Sequence, residues 1–583
     1  MAKIFECQDS QSYDLIVVGS GNGACAFLHQ YLNCSTEGRV LVLEEGENFF
    51  ETSDITHQRN WAKSYSDGNI FKLHQAQTSD RIPILSGRAC TMGGGGSINY
   101  TTIFESSKWL AEHLGRDPVY WDAQKAELAK CFRFADPTQS LTDVAKHVKE
   151  KLENIGFSIS DISQDSIPTY VDGKDRQIHI FPTQFDEFGQ RTRSGVSLVN
   201  WYLNQRLDFM TQQRVTKLHL EATDKGQRCR AISVFNSIKG KLETYHLGSN
   251  TKLLLCAGAA TPQLLYEHRE KLNNLEIGKH VNDHILLPFG IYVLNSELEV
   301  TLKDQYVSLF ATTEAFSGEG RDPTICNFDF FSGRLNLLLY FISHLFLAFW
   351  LPNWLKLWMT RNPDVFQWLK RATRFLVTAS NWLVDSIWRI LHFAKLTRPK
   401  WNLISAIVKF NIAREGYYEP LSDRLTQDRK YPKPYRIVLR CFEDKPLDSN
   451  PDFQVAKDAI SKHICLMESL GAKPHPIFQF AIRLLTRMPY DVNQVERYIN
   501  HYSRYDLLTE QHLSGGCVFG KAIDSGLESP QDTGKVFGSE NIYVADLSAS
   551  PLPRISPQMT AYLIGHHVAT QICQDSTSKA QTS

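Results

Sequence analysis

The stretch YDLIVVGSGNGACAFLHQYL (Tyr13–Leu32) decides the fold. Its apolar run Leu15–Val18 is typical of a buried β-strand, and the residues after the glycines are typical of a helix. Between the two, Gly19, Gly21 and Ala24 satisfy the pattern G-x-G-x-x-G/A. The first glycine permits a tight turn, the second lets a diphosphate approach the backbone, and the third small residue lets the helix pack on its strand. The stretch therefore predicts the strand–turn–helix unit of a Rossmann-like, dinucleotide-binding domain.

A second apolar strand, RVLVLEEG (39–46), follows and ends in two acidic residues, Glu44 and Glu45. A carboxylate at this position of a βαβ unit accepts hydrogen bonds from the ribose hydroxyls of the nucleotide. Because Glu44 ends the strand directly, it is the expected ribose ligand. This unit by itself leaves open whether the nucleotide is NAD or FAD.

Four consecutive glycines occur in SGRACTMGGGGSIN (Ser86–Asn99). Glycines cost backbone entropy on folding, so a run of them suggests that something must lie directly against the main chain. A flat flavin ring or a diphosphate would meet this need. The alternative is a flexible loop without a ligand.

Composition restricts the function further. The 583 residues carry 63 basic and 63 acidic side chains, so the overall charge gives no indication of a nucleic-acid partner. Twelve cysteines occur without a C-x-x-C pair, which argues against a metal site or a disulfide framework and for buried thiols in a reducing compartment. With no recognisable export signal at the N-terminus, the expected location is cytoplasmic.

Further blocks follow in order: TKLLLCAGAATPQLLYEH (251–268), IGKHVNDH (277–284), HLSGGCVFGKA (512–522) and NIYVADLSASPLPRISPQMT (541–560). Together with the two glycine motifs, these blocks resemble the glucose–methanol–choline (GMC) family of FAD-dependent oxidoreductases. The H-x-x-G-G-C block is most similar to the cholesterol-oxidase-like, lipid-alcohol branch of that family.

The resemblance implies an α/β fold, with a Rossmann-like FAD-binding domain of the GMC type and an inserted α+β substrate domain. The FAD domain would be discontinuous, from residues 13–105, 190–295 and 505–575. The substrate domain would comprise 106–189 and 296–504, with a disordered tail at 576–583. FAD is expected to be noncovalent, since the loop 87–102 contains no histidine.

The resemblance also assigns cofactor-binding residues. The ADP half of FAD would be held by Gly19, Gly21, Ala24 and Glu44, and the flavin would be lined by Gly94, Gly95, Ser97 and Asn99. Val215 corresponds to the strand that meets the adenine through its main chain. Asp546 corresponds to the acidic residue near the diphosphate and ribityl chain.

Alcohol oxidation needs a base that takes the hydroxyl proton while hydride moves to flavin N5, and imidazole suits this role. His512 stands at the family position of the base. The family's second catalytic residue, His or Asn before a proline, is replaced by Ser556, which has a shorter reach. Ser556 either acts as the partner, through a water if needed, or leaves the pair incomplete. The Asp283–His284 pair matches a family element interpreted as structural.

Residues 334–401 form an amphipathic, Trp-rich insertion. They include seven of the eleven tryptophans, and ten Lys or Arg against only Asp364 and Asp385. Tryptophan favours the bilayer interface, and basic side chains attract anionic lipids. The segment predicts a membrane-resting, helical entrance; the alternatives are a transmembrane span at 335–355 and a buried hairpin or dimer interface.

Taken together, the sequence predicts an FAD-dependent enzyme, peripherally bound to a membrane, that oxidises a lipophilic alcohol such as a sterol, long-chain or isoprenoid alcohol. The electron acceptor, oxygen or a quinone, is left open. The competing prediction is non-redox or light-driven chemistry on a lipid, as in the lyases and fatty-acid photodecarboxylases of the same family.

Overall fold

The computed structural model describes most of the chain in two groups of elements, each with its own apolar core. One core surrounds a parallel sheet, and the other lies against a large mixed sheet. The described residues are 13–35, 38–49, 69–99, 107–131, 143–159, 177–180, 195–201, 204–294, 309–313, 324–332, 402–421, 435–443, 447–474, 489–505, 507–524, 534–553 and 556–582, together with six single positions between 354 and 386.

The parallel sheet has the strand order β23-β13-β1-β2-β9. Its strands are β1 (Leu15–Val18), β2 (Val40–Leu43), β9 (Leu207–Met210), β13 (Lys252–Leu255) and β23 (Ile542–Val544). Helix α1 (Asn22–Cys34) connects β1 to β2, and Leu15 is in register with both Val40 and Lys252. This is the predicted strand–turn–helix–strand unit, and all five strands come from the three segments expected to form the FAD domain.

Close helix packing completes this domain. Helix α8 (Pro557–Thr582) lies along α1, and Gly23 and Gly565 meet at the crossing. A Cβ atom on Gly23 would lie 2.1 Å from the Ala545 carbonyl oxygen, and one on Gly565 would lie 2.0 Å from the Gly23 oxygen. A disulfide between Cys34 and Cys573 also joins the two helices, which corrects the expectation of unpaired thiols.

Two smaller antiparallel sheets flank the nucleotide domain. The first is three-stranded, and Val215 lies in its first strand, paired with Val234. The second is a two-stranded ribbon next to the glycine run. The strands of the first are β10 (Gln213–Thr223), β11 (Gly226–Asn236) and β12 (Lys241–His246), and those of the second are β3 (Phe71–Leu73) and β6 (Gly87–Ala89).

The mixed sheet contains thirteen strands within the described ranges. Eight of them lie in the segments predicted for the substrate domain, and five lie in segments predicted for the FAD domain. The longest strands lie at the centre of the sheet. Along the sheet the strands are β14 (Lys279–Val281), β19 (Gly416–Pro420), β20 (Tyr435–Leu439), β4 (Ala76–Thr78), β5 (Pro83–Leu85), β22 (Leu507–Thr509), β15 (His284–Leu294), β18 (Asn402–Asn411), β17 (Thr324–Ser332), β16 (Leu309–Thr313), β8 (Gln177–Ile180) and β7 (Ser158–Ile159), while β21 (Lys473–Pro474) pairs with β15.

Helices α6 (Pro451–Ser469) and α7 (Val495–Tyr505) pack on this sheet. On α7, Tyr498 and Tyr502 are one helical turn apart and face the same way. Both rings are buried, and their hydroxyls donate hydrogen bonds to carbonyls of β15. The helix therefore fixes the strand that begins at His284.

The helices show further differences from the predicted boundaries. Helices α2 (Ser107–Leu114) and α3 (Pro118–Ala129) fall in the segment expected to belong to the substrate domain, but their apolar residues pack in the nucleotide core. Helix α4 (Asp143–Asn154) does pack in the substrate core, and α5 (Ala260–Tyr266) follows β13. The tail 576–583, expected to be disordered, is helical through Thr582 as part of α8.

The Trp-rich insertion at 334–401 lies outside the described residues apart from the six single positions. Three of these are tryptophans with exposed side chains, at 69% for Trp354, 44% for Trp358 and 68% for Trp368. Among the helices that the structure describes, none is both long and apolar enough to cross a bilayer.

Candidate active site

The glycine turn after β1 forms one wall of the site. Gly19 adopts φ +95°, and a Cβ atom there would lie 2.4 Å from the Cys256 carbonyl oxygen, so only glycine fits. Gly21 caps helix α1 without a side-chain hydrogen bond, and the first turn of the helix contains no acidic residue. The N-terminal amides of α1 are thus suited to an anionic diphosphate. Ala24 is fully buried, as packing of the helix on its strand requires.

Glu44 lies at the end of β2, as predicted, with its carboxylate turned toward the glycine turn. One oxygen accepts hydrogen bonds from the Ser20 amide at 2.9 Å and hydroxyl at 2.7 Å, and the other accepts from the Gly46 amide at 2.8 Å. Burial raises the pKa of Glu44, although these hydrogen bonds oppose the shift. Its contact with ribose stays a prediction.

The neighbouring Glu45 serves a different purpose. Its buried carboxylate forms ion pairs with Lys72 and Arg88, each at 2.6 Å, and with Arg214 at 3.5 Å. Burial opposes its ionisation, but these three cations hold the pKa of Glu45 well below its usual range. Glu45 is therefore engaged in a basic cluster, which supports the choice of Glu44 as the nucleotide ligand.

The glycine run lies against the first glycine turn. Gly94–Ser97 forms one 3-10 turn, and a Cβ atom on Gly94 would lie 3.0 Å from the Cα of Gly21. A Cβ atom on Gly95 would meet nothing within 4 Å, so this residue faces open space. Ser97 donates to the Met92 carbonyl at 2.7 Å, and Asn99 donates to Gln558 at 2.8 Å. These two side chains brace the loop, and their contact with flavin stays a prediction.

Asp546 connects two loops that form another wall of the site. Its carboxylate accepts hydrogen bonds from the amides of Gly258 and Ser548, both at 2.8 Å, and from the Thr261 hydroxyl at 2.6 Å. Burial raises the pKa of this carboxyl group. Asp546 thus holds the turn after β13 against the loop after β23, at the carboxyl edge of the parallel sheet.

The residues at this edge fit FAD. Gly95 and Gly258 face open space beside the N-terminus of α1, and the buried Asn22 Oδ1 has no hydrogen-bond partner among the described residues. The main-chain amide of Gln213, two residues before Val215, donates to the Glu44 carbonyl at 2.7 Å. A diphosphate at α1, a ribose at Glu44 and an adenine at the Val215 strand would follow this edge in sequence.

The predicted base, His512, lies where β15 and β22 meet. Strand β15 pairs with β22 through Ile285 and Thr509, which brings His284 next to the loop after β22. The Nδ1 atoms of His284 and His512 are 2.9 Å apart. Asp283 Oδ1 accepts a hydrogen bond from the His512 main-chain amide at 2.9 Å. The Asp283–His284 pair, interpreted from the sequence as structural, is therefore in direct contact with the base.

Two charged residues lie behind the histidines. Glu510 Oε2 is 3.0 Å from His512 Nδ1 and 3.7 Å from His284 Nδ1. Lys409, on β18, places its ammonium 2.5 Å from the same oxygen, and its side chain is only 4% exposed. Burial opposes ionisation of Glu510, but Lys409 and the histidines hold its pKa well below the usual range.

Burial and the neighbouring charges also shift the pKa values of the two histidines and of Asp283. Burial lowers the pKa of His512, an effect that Glu510 opposes and Lys409 reinforces. Burial and Lys409 lower the pKa of His284 further. Burial raises the pKa of Asp283 to about 7. Both imidazoles are thus neutral near pH 7, which is the state that a general base requires.

The ligand atoms of His284, Glu510 and His512 all lie within 4.8 Å of one another, a spacing that also suits a metal ion. However, the ammonium of Lys409 already neutralises Glu510 at 2.5 Å. A divalent cation would meet a buried positive charge there, so we interpret the cluster as a hydrogen-bonded network.

The other candidates are placed as follows. Ser556 is partly exposed and immediately precedes α8. Its role as the partner of His512 stays a prediction. His284, Glu510 and Lys409 were missed by reasoning from the sequence. The dipeptide Asp283–His284 and the spacing Glu510-x-His512 were visible signals, but nothing in the sequence marks Lys409 as their neighbour.

Comparisons with known proteins point to oxidoreductases of the GMC type. The family model described as GMC oxidoreductase matches residues 436–565. The chain is 33% identical over 81 residues to a putative truncated GMC-type inactive oxidoreductase of Acanthamoeba polyphaga mimivirus, covering 14% of this chain and 91% of that protein. It is 21% identical to sinalpyl alcohol oxidase Nec3 of Nesocodon mauritianus, over 98% of this chain and 90% of the relative.

Among solved structures, the fold is similar to formate oxidase of Aspergillus oryzae RIB40, in a variant made to study FAD modification. The TM-score is 0.66 with 14% sequence identity, over 98% of this chain and 100% of that chain. The chain thus matches the GMC oxidoreductase model over residues 436–565, and together these similarities support an FAD-dependent oxidoreductase of this type.

Proposed function

We propose that this enzyme oxidises an alcohol, with His512 as the general base that removes the hydroxyl proton. The observation that carries the proposal is that the imidazole of His512 is partly exposed, whereas its partner His284 is buried. The side chain of His512 is 22% exposed, whereas that of His284 is 0% exposed. Of the two histidines, His512 is the one that presents its ring to a substrate. The similarity to an alcohol oxidase supports the same reaction.

In this reaction His512 accepts the hydroxyl proton through Nε2, the ring nitrogen away from Glu510. Asp283 holds the main chain of His512 through its amide, and His284 holds the ring through Nδ1. Bound FAD supplies the acceptor for the hydride that leaves the carbinol carbon. The glycines at positions 94, 95 and 258 would let it lie close to the backbone, with Glu44 and Asp546 at its two polar ends.

Ser556 is the proposed second contact to the substrate hydroxyl. It lies two residues before Gln558, whose side chain is bonded to Asn99 of the glycine loop. The start of α8 is therefore fixed beside the expected flavin position. A serine hydroxyl both donates and accepts, so it can orient an alcohol directly or through a water molecule.

The test is to mix purified protein anaerobically with a panel of alcohols and follow the absorbance of the flavin. Bleaching by an alcohol supports the proposal, and oxygen or quinone added afterwards identifies the electron acceptor. If no alcohol bleaches the flavin but a fatty acid is consumed under blue light, the enzyme is a photodecarboxylase and the proposal fails.

We further propose that the alcohol is lipophilic, such as a sterol, long-chain or isoprenoid alcohol, and that it arrives from a membrane surface. The sequence resemblance to the lipid-alcohol branch supports this substrate class. The exposed side chains of Trp354, Trp358 and Trp368, within a basic segment, support the membrane contact. Delivery from a bilayer avoids exposing the substrate to water, which costs about 0.8 kcal/mol for each CH₂ group.

Sedimentation with liposomes tests the membrane contact. The protein should bind vesicles of anionic lipid, and salt should weaken this binding without abolishing it. Replacing the three exposed tryptophans by serine should release the protein while FAD stays bound. Replacing the exposed Val119 and Val492 by serine provides a control elsewhere on the surface. Equal sedimentation of both variants would reject the membrane contact.

A further inference from the structure

Glu510 has no role in the family resemblance, yet it lies directly behind the base. It follows β22, two residues before His512, and its side chain is 14% exposed. Its partner Lys409 comes from β18, on the far side of β15, and is in register with Leu286. A buried ion pair of this kind costs desolvation and gives little net stability, so its presence beside a base suggests a role in the reaction.

The chemistry of imidazole determines where the protons lie. A neutral histidine carries one ring proton, and an ionised carboxylate can only accept a hydrogen bond. His512 Nδ1 is 3.0 Å from Glu510 Oε2. A lone pair on this nitrogen would be repelled by the carboxylate at that distance, so electrostatics favour the proton on Nδ1. The same N–H faces His284 Nδ1 at 2.9 Å, which then accepts and keeps its own proton on Nε2.

We propose that Glu510, anchored by Lys409, is a positioning residue that fixes His512 in the tautomer with a free Nε2. The inference rests on the proposed alcohol oxidation. In that step the O–H bond of the alcohol breaks and an Nε2–H bond forms, so His512 becomes an imidazolium. Bound FAD would supply the acceptor for the hydride of the carbinol carbon, and the product would be a carbonyl compound. The other tautomer of His512 has no lone pair on Nε2 and cannot accept the proton.

Lys409 sets the balance of charge around this step. The groups that face His512 are Glu510 next to β22, His284 and Asp283 at the start of β15, and Lys409 on β18. Glu510 alone would favour a permanent imidazolium at His512, which is useless as a base. The ammonium of Lys409 offsets that charge, so His512 stays neutral until the substrate proton arrives. Glu510 then stabilises the imidazolium that forms.

The tautomer can be observed directly by NMR of the FAD-loaded enzyme labelled with ¹⁵N-histidine. The resonances of His512 are identified by their loss in His512→Gln. In the wild type we expect Nδ1 to carry the proton and Nε2 to be unprotonated. In Glu510→Gln, whose amide can donate as well as accept, we expect a mixture or the opposite tautomer. A wild-type Nδ1 without a proton, or an unchanged spectrum in Glu510→Gln, would overturn the proposal.

Kinetics provide the second readout. Glu510→Gln should slow flavin reduction by on the order of 10²-fold, the lower range of what general base catalysis contributes. KM should change little, because the side chain lies behind the base. The acidic limb of the pH profile should move to lower pH, since the carboxylate raises the pKa of His512. An unshifted limb contradicts the proposal.

Two further variants serve as controls. Glu443→Gln removes a carboxylate that is bonded to Arg414 and Arg440, outside the site, and should leave the rate and pH profile unchanged. The double variant Lys409→Met/Glu510→Gln leaves no unpaired buried charge, so it stays informative if Glu510→Gln fails to fold. It should be as slow as Glu510→Gln, and a wild-type rate would overturn the proposal. If no alcohol reduces the wild-type flavin, alcohol oxidation fails, while the NMR spectra still report the tautomer.

Discussion

The Nδ1 atoms of His284 and His512 lie 2.9 Å apart, with the two rings nearly perpendicular at 80°. One residue opens strand β15 and the other follows strand β22, so the contact depends on the pairing of these strands. Only one of two nitrogens at such a distance can carry a proton in the neutral pair. The contact therefore orients both rings, and it joins a fully buried histidine to one that is partly exposed.

His512→Ala should leave FAD bound but slow its reduction by an alcohol by about 10²- to 10⁴-fold, the usual contribution of a general base. FAD content is measured by absorbance, and reduction by anaerobic stopped-flow. Near-wild-type reduction would remove His512 from the mechanism.

His284→Ala should have a smaller effect, on the order of 10-fold, since general base catalysis by His512 is retained. Glu510 still orients the ring of His512 in this variant. The same stopped-flow measurement compares the two variants at equal FAD content. If flavin reduction in His284→Ala is as slow as in His512→Ala, or slower, the assignment of His512 as the base is contradicted.

Ser556→Asn restores the residue type that the family usually has before this proline. If Ser556 orients the alcohol, the longer amide should keep or raise the rate of flavin reduction. The measurement is the rate against alcohol concentration, with Ser556→Ala as the control that removes the hydroxyl. Complete loss of reduction in Ser556→Asn, with full activity in Ser556→Ala, would exclude an orienting role.

Asp283→Asn should change how stability depends on pH. Burial raises the pKa of Asp283 from 3.8 to about 7, so the folded protein binds this proton more tightly than the unfolded chain. The contribution of protonated Asp283 to the stability of the folded protein is complete below about pH 4 and is lost as the pH rises toward 7. The thermal midpoint of Asp283→Asn relative to wild type should therefore rise across this range and level off above it. A difference independent of pH would show that folding does not raise the pKa of Asp283.

FAD should be released by denaturation alone. The loop 87–102 offers no histidine for covalent attachment of the flavin. The check is acid precipitation followed by absorbance of the supernatant. Yellow colour that stays with the precipitate would contradict noncovalent binding.

The sequence by itself determined the nucleotide half of the protein. The turn at Gly19 and Gly21, the acid at Glu44 and the glycine run are features of neighbouring residues, because strand, turn and helix follow one another along the chain. The position of His512 was also visible, since the residues around it form a compact block. Local spacing carries such information because the steric needs of a turn act over a few residues.

The tertiary structure alone decided how the catalytic group is completed. His284, Lys409 and Glu510 come from three neighbouring strands and become partners only when β22, β15 and β18 pair in register. The contact of Gly23 with Gly565, and the disulfide between Cys34 and Cys573, likewise join segments more than 500 residues apart. No local sequence pattern specifies such contacts. The reason for a buried charged residue, or for a glycine in close packing, lies in residues that are distant in sequence and become neighbours only on folding.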